Sequence, residues 1–187
     1  MQQARAARRL IGTLIVLLIA VSAAVLVSYT NATRIPPSSG GPAAPTLVRI
    51  MSLGVTAQVS PVRVEGTVLN PPEDPMLAGW AMDTALPGAE QGSVVITAHK
   101  IHGGGGAFDE LAKVKRGSLI AVDTEHGVQN YGVSSVKDMN LEQFAAAAPN
   151  LFRTDGPPRL VLITCWGWNG KAWDGNTVVI AEPQSAA

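Results

Sequence analysis

The chain has one cysteine, Cys165, which ends the aliphatic, β-branched run Arg159-Leu-Val-Leu-Ile-Thr-Cys165 and precedes the glycine-containing stretch Trp166-Gly-Trp-Asn-Gly170. A thiol at the C-terminal end of a strand, just before a loop, can point into a cleft. His99 follows a second run of this kind, Ser93-Val-Val-Ile-Thr-Ala98. Two strand ends, one giving Cys and one giving His, supply the nucleophile and the acid–base group of a thiol mechanism. An ordinary thiol ionises near pH 8.5, so it needs help to be thiolate at neutral pH. A protonated imidazole beside it gives that help and can then protonate a leaving amine. Each residue also has a plain structural reading. Free Cys is among the most buried residue types, and a single His is commonly just a hydrogen-bonded part of the scaffold.

Other candidate groups are weaker. One cysteine excludes an internal disulfide framework and a Cys-only metal site. His99, His102 and Cys165 do not have zinc-site spacing. Gly103 to Gly106 is not followed by the Lys-Ser/Thr of a phosphate loop and reads as a flexible segment. Trp166, Trp168 and Trp173 flank the thiol and are three of only 4 Trp. They are either core residues or the walls of a peptide groove. Asp109-Glu110 reads as a solvated helix start.

The segments that must position Cys165 and His99 are mostly strand and turn. Leu47 to Ile50, Val59 to Val64, Ser93 to Ala98, Arg159 to Cys165 and Thr177 to Ala181 read as strands. Leu119 to Asp123 and Tyr131 to Val136 read as a hairpin around Glu125-His126-Gly127. Asn70 to Pro75 is a turn-rich break. Phe108 to Ala112 gives a helical turn or two. Leu141 to Ala148 reads as a helix capped by Asn140 and stopped by Pro149. About seven strands with two short helices point to a β-barrel or sandwich.

The N-terminus carries Arg5, Arg8 and Arg9 without an acid, then an uncharged aliphatic run from Leu10 to Val27. At 1.5 Å per residue that run spans about 27 Å, close to a bilayer's hydrocarbon thickness. Tyr29 lies where an interfacial aromatic belongs. The expectation is a basic cytoplasmic tail at residues 1–9, a transmembrane anchor at 10–29 and a Pro/Gly/Ser linker at 30–45. Residues 46–187 then form one exported domain. A cleaved signal peptide is the competing reading, although its apolar core is usually shorter. The 14 basic and 14 acidic residues cancel. The exported part alone has 10 bases against 14 acids. This balance argues against a nucleic-acid partner, which would demand a basic excess.

These features together resemble the sortases, membrane-anchored cysteine transpeptidases of Gram-positive bacteria. Leu162-Ile-Thr-Cys165 is similar to the family's T-L-x-T-C strand, and Val95-Ile-Thr-Ala-His99 to the strand that ends in the catalytic His. Leu47 to Val55 is similar to the opening L-x-I-P-x-I-G-V segment, with Met51 where proline is usual. Asn70 to Trp80 and Asn176 to Ala181 resemble segments of the actinobacterial class E and F members. The resemblance covers nearly all of Thr46 to Pro183.

It implies an all-β fold, an eight-stranded sortase-type barrel with short helices, preceded by one N-terminal transmembrane helix. It implies Cys165 as nucleophile, His99 as acid and base, and Thr164 shaping the oxyanion site. It implies no cofactor and no metal. The partners it implies are the sorting signal of exported proteins, an amine acceptor from the cell wall or another protein, and the membrane. Sortases carry an Arg shortly after the Cys, and here none follows Cys165. Asn176 and Lys171 are the nearest donors, but neither reproduces a bidentate guanidinium. Two alternatives follow: a sortase-like peptide-binding protein with little or no turnover, and a hydrolysing cysteine peptidase.

Overall fold

The computed structural model describes residues 40–65 and 68–184, and the expected anchor, tail and most of the linker lie outside them. Among the described residues, no helix is long and apolar enough to cross a membrane.

Among the described residues, ten strands form in chain order: β1 (Pro45–Ile50), β2 (Val55–Val62), β3 (Val64–Glu65), β4 (Val68–Leu69), β5 (Ala78–Ala81), β6 (Ser93–Ala98), β7 (Leu119–Thr124), β8 (Gly127–Asn140), β9 (Arg159–Trp168) and β10 (Trp173–Pro183). Eight close into a barrel in the order β1-β2-β5-β6-β9-β10-β8-β7, and β3 with β4 makes a separate hairpin. Closure comes from the β1–β7 pairing, which leaves the barrel no open edge. The eight-stranded all-β fold expected from the resemblance is therefore present.

β6 and β9 run parallel at the centre of the described site. Their side chains alternate between two apolar layers. Val94, Ile96, Ala98, Leu160 and Leu162 point into the barrel core, with Val179 and Ala181 of β10. Val95, Val161, Ile163 and Val178 point outward into a second cluster. This second layer explains why β6 and β9 read as nearly unbroken apolar runs: both faces are covered.

The cover is α1 (Leu141–Leu151). Its Phe144, Ala147 and Leu151 lie at helical spacing and pack on the outer layer. Asn140 caps it as expected. Its side chain accepts from the Gln143 amide at 2.8 Å, while the Gln143 side chain accepts from the Asn140 amide at 3.0 Å. The helix continues past Pro149 to Leu151 rather than stopping there. Proline removes one donor, but the next turn carries Leu151 into the outer cluster, and that burial holds the turn in place.

Three other expectations are corrected. β8 is much longer than the Tyr131 to Val136 run, because its far half pairs with β10. β5 had no sequence signal: its four residues Ala-Gly-Trp-Ala are all buried and show no alternation. A Cβ at Gly79 would lie 2.9 Å from the Val62 methyls, so β2 and β5 pack closely there. The helical turn expected at Phe108 to Ala112 is a single 3-10 turn at Leu111–Lys113.

Candidate active site

β9 continues through Cys165 to Trp168, so the thiol sits within the strand rather than at its end. Its neighbours are fixed by two pairings. Across the antiparallel ladder, Asn176 of β10 faces Cys165 directly, and opposed side chains in such a pair stand roughly 5 Å apart. Across the parallel ladder, Thr97 is level with Ile163. β6 ends at the next residue, Ala98, and His99 follows it. Two hydroxyl bonds lock this alignment. Thr97 Oγ1 donates to the Ile163 carbonyl at 3.1 Å, and Thr164 Oγ1 donates to the Ala98 carbonyl at 2.9 Å. Alternation places Cys165 on the same outward face as Val161 and Ile163. The thiol thus lies on β9 beside β6, the strand that His99 follows.

Cys165 is half-buried and lines a cavity of about 240 Å³ with Thr97, Phe144, Phe152, Leu69 and Asn176 among its walls. Leu69, Leu141, Phe144 and Phe152 also line an adjoining apolar recess of about 610 Å³ between the β3–β4 hairpin and α1. The result is an apolar groove that runs along α1 and reaches the thiol. Sequence reasoning missed this groove. Phe144 lay within the helix read from the sequence, but nothing local marked it, Leu69 or Phe152 as groove residues.

Burial pushes the Cys165 thiol above its ordinary value, and the charge of Lys100 opposes that push. The backbone just after His99 is held firmly. The Phe108 amide donates to the His99 carbonyl at 3.2 Å. Asp109 accepts from the Ile101 amide at 2.7 Å and from the Gly106 amide at 2.9 Å. Asp109, read from the sequence as solvated, is therefore the brace of this loop. Gly106 has to lack a side chain, since a Cβ there would lie 2.5 Å from the His99 carbonyl oxygen.

Of the remaining candidates, Thr164 borders the Cys165 cavity, but its side chain is buried and its hydroxyl is already given to the Ala98 carbonyl. Lys171 is exposed in the β9–β10 turn. Trp166 and Trp168 do not line the Cys165 cavity. They border a separate recess of about 480 Å³, with Lys100, His102, Asp109 and Trp173. There the rings of His102 and Trp168 stack at 5.1 Å, and Trp173 lies tilted on Trp168 at 5.3 Å. Among the described residues, no three His, Cys, Asp or Glu side chains gather as a metal site requires.

The whole barrel is similar to solved sortase structures. Sortase A from Corynebacterium diphtheriae, a lid mutant, matches at 17% identity over 83% of this chain and 75% of that one, with a TM-score of 0.60. Sortase C-1 from Actinomyces oris matches at 20% identity over 74% and 70%, with a TM-score of 0.60. Sortase C-1 from Streptococcus pneumoniae matches at 25% identity over 76% and 67%, again with a TM-score of 0.60. No curated protein matches by sequence. Residues 48–184 match the sortase domain family, which is well over half of the chain, and on that match the protein belongs to the sortase family of cysteine transpeptidases.

Proposed function

We propose that this chain cleaves a C-terminal sorting signal through a thioester on Cys165 and transfers the acyl part to an amine. The observation that carries the reading is the position of Cys165 at the end of an apolar groove, beside the strand that His99 follows. In the first step the Cys165 sulfur attacks a backbone carbonyl carbon of the bound peptide. The sulfur–carbon bond forms, the carbon–nitrogen bond breaks, and His99 gives a proton to the departing amine. In the second step an amine attacks the thioester carbonyl, the sulfur–carbon bond breaks, Cys165 leaves as the thiolate and His99 accepts the amine's proton. The peptide's apolar residues lie between α1 and the β3–β4 hairpin. Asn176, facing Cys165, donates to the oxyanion.

We further propose that the chain works outside the cytoplasmic membrane, held by its N-terminal segment. The basic cluster of Arg5, Arg8 and Arg9 ahead of the apolar Leu10 to Val27 run supports that orientation. An actinobacterial class E or F affiliation rests on the Asn70 to Trp80 and Asn176 to Ala181 segments.

The test is incubation of the full-length protein with peptides carrying LPxTG-like motifs, with and without an amine acceptor, followed by mass spectrometry. The expected result is a Cys165 adduct that yields amide product when the amine is present. Acid product alone, whatever amine is supplied, would assign the chain to hydrolysis. Peptide binding with no adduct, unchanged in Cys165→Ala, would assign it to binding without turnover.

A further inference from the structure

The β6–β9 ladder stops at the Thr97–Ile163 pair, short of both His99 and Cys165. Two side-chain bonds tie the strands there. Thr97 Oγ1 donates to the Ile163 carbonyl at 3.1 Å, and Thr164 Oγ1 donates to the Ala98 carbonyl at 2.9 Å. The bonds are reciprocal, since each strand's threonine grips a carbonyl of the other. Ile163 lies two residues before Cys165, and Ala98 directly precedes His99.

Thr97 is the anomalous member of its surroundings. The outer faces of β6, β9 and β10 carry Val95, Val161, Ile163 and Val178. Alternation puts Thr97 on that same face, two residues after Val95. It is 4% exposed, so its hydroxyl is costly there unless bonded. Valine has nearly the same shape and would pack on this layer without a polar atom to satisfy. Apolar packing therefore does not account for the hydroxyl. Thr97 also lines the Cys165 cavity, together with Ile163 and Asn176. Its bond acts on the stretch of β9 that carries the thiol, and it comes from the strand that His99 follows. Beyond the ladder, the His99 carbonyl accepts only from the opposite side, from the Phe108 amide at 3.2 Å.

We propose that Thr97 is a positioning residue for the thiol chemistry: its hydroxyl holds the Ile163 carbonyl and so sets the Cys165 stretch of β9 against the end of β6 that leads to His99. Thr97 itself touches no reacting atom. This rests on the reading of Cys165 and His99 as a working pair. Rates of such chemistry fall steeply with misplacement, by about 10²-fold for roughly 1 Å. The end of a ladder, where backbone pairing stops, is where such a displacement would start.

The test uses the full-length protein as wild type, Thr97→Val, Thr97→Ser and Ser134→Ala. Ser134 Oγ donates to the Ile180 carbonyl at 3.3 Å between β8 and β10, so Ser134→Ala removes a similar cross-strand bond elsewhere in the barrel. Peptide turnover in Thr97→Val is expected to lose about tenfold to a hundredfold in kcat with little change in KM. Thr97→Ser keeps most of the rate, and Ser134→Ala keeps all of it. A second measurement needs no peptide. With only one cysteine, alkylation by iodoacetamide reports Cys165 alone, and its pH midpoint is compared with and without His99→Gln. The displacement caused by His99→Gln is expected to survive in the Thr97→Ser background and to shrink to less than about half in Thr97→Val. An equal displacement in every background overturns the proposal, as does full kcat in Thr97→Val. No displacement in the wild-type background overturns the Cys165–His99 pair and the proposal with it. A His99-dependent midpoint in a wild type that turns over no peptide would refute the transpeptidase reading alone, and the alkylation series would still decide the role of Thr97.

Discussion

Asn176 stands directly across the ladder from Cys165. An amide can donate to an oxyanion, although it brings no charge, and this is the role proposed for Asn176. Removing a donor that acts on the oxyanion typically costs about 10²-fold in kcat. Asn176→Ala is accordingly expected to lower kcat by that order while leaving KM nearly unchanged, as steady-state peptide cleavage would measure. A rise in KM at constant kcat would instead make Asn176 a ground-state contact. The sequence singled out Cys165 as its one cysteine, after a β-branched run. Its partner across the sheet was not legible, since only strand register brings Asn176 opposite the thiol.

The loop between β6 and the 3-10 turn shows what one carboxylate does for an element. Asp109 satisfies two backbone amides that would otherwise face solvent, and the Ala107 amide reaches the Pro75 carbonyl at 2.8 Å. Four consecutive glycines would otherwise make this segment costly to order. Asp109→Ala is expected to strip hydrogen-exchange protection from Ile101 and Gly106 and to reduce turnover. Asp109→Asn, which keeps an acceptor oxygen, should recover part of both. Protection unchanged in the alanine variant would show that the loop is held by Phe108 and Ala107 alone. The helix α1 was readable from its Asn140 cap and the run to Ala148. Its true end was not, because the burial of Leu151 depends on a barrel surface built from residues distant in sequence.

At the scale of the whole barrel, Tyr131 of β8 reports the integrity of the core. It is 3% exposed, and burial pushes its phenol from 10.0 up to about 12, against a hydrogen bond from the Gly88 backbone. The phenol is neutral in the folded state where the unfolded chain would already ionise. Its contribution is therefore complete below pH 10 and is lost as pH rises toward 12. A two-unit shift corresponds to about 2–3 kcal/mol. Thermal melts of the wild type should fall in midpoint over that alkaline window, and those of Tyr131→Phe should fall less. Parallel curves for the two proteins would mean that the phenol does not govern the alkaline loss.

The sequence by itself determined the all-β class and the cap of α1, and it offered one cysteine as a candidate nucleophile. These depend on local composition, on alternation and on residue types that few other positions offer. Tertiary structure decided the rest. A parallel β6–β9 pair brought the ends of two distant runs together. The antiparallel β10 set Asn176 opposite the thiol, and the outer helix turned a strand surface into a groove. The physical reason is that ladder register and helix docking are settled by apolar burial summed over many distant residues. No short window of the chain contains that sum.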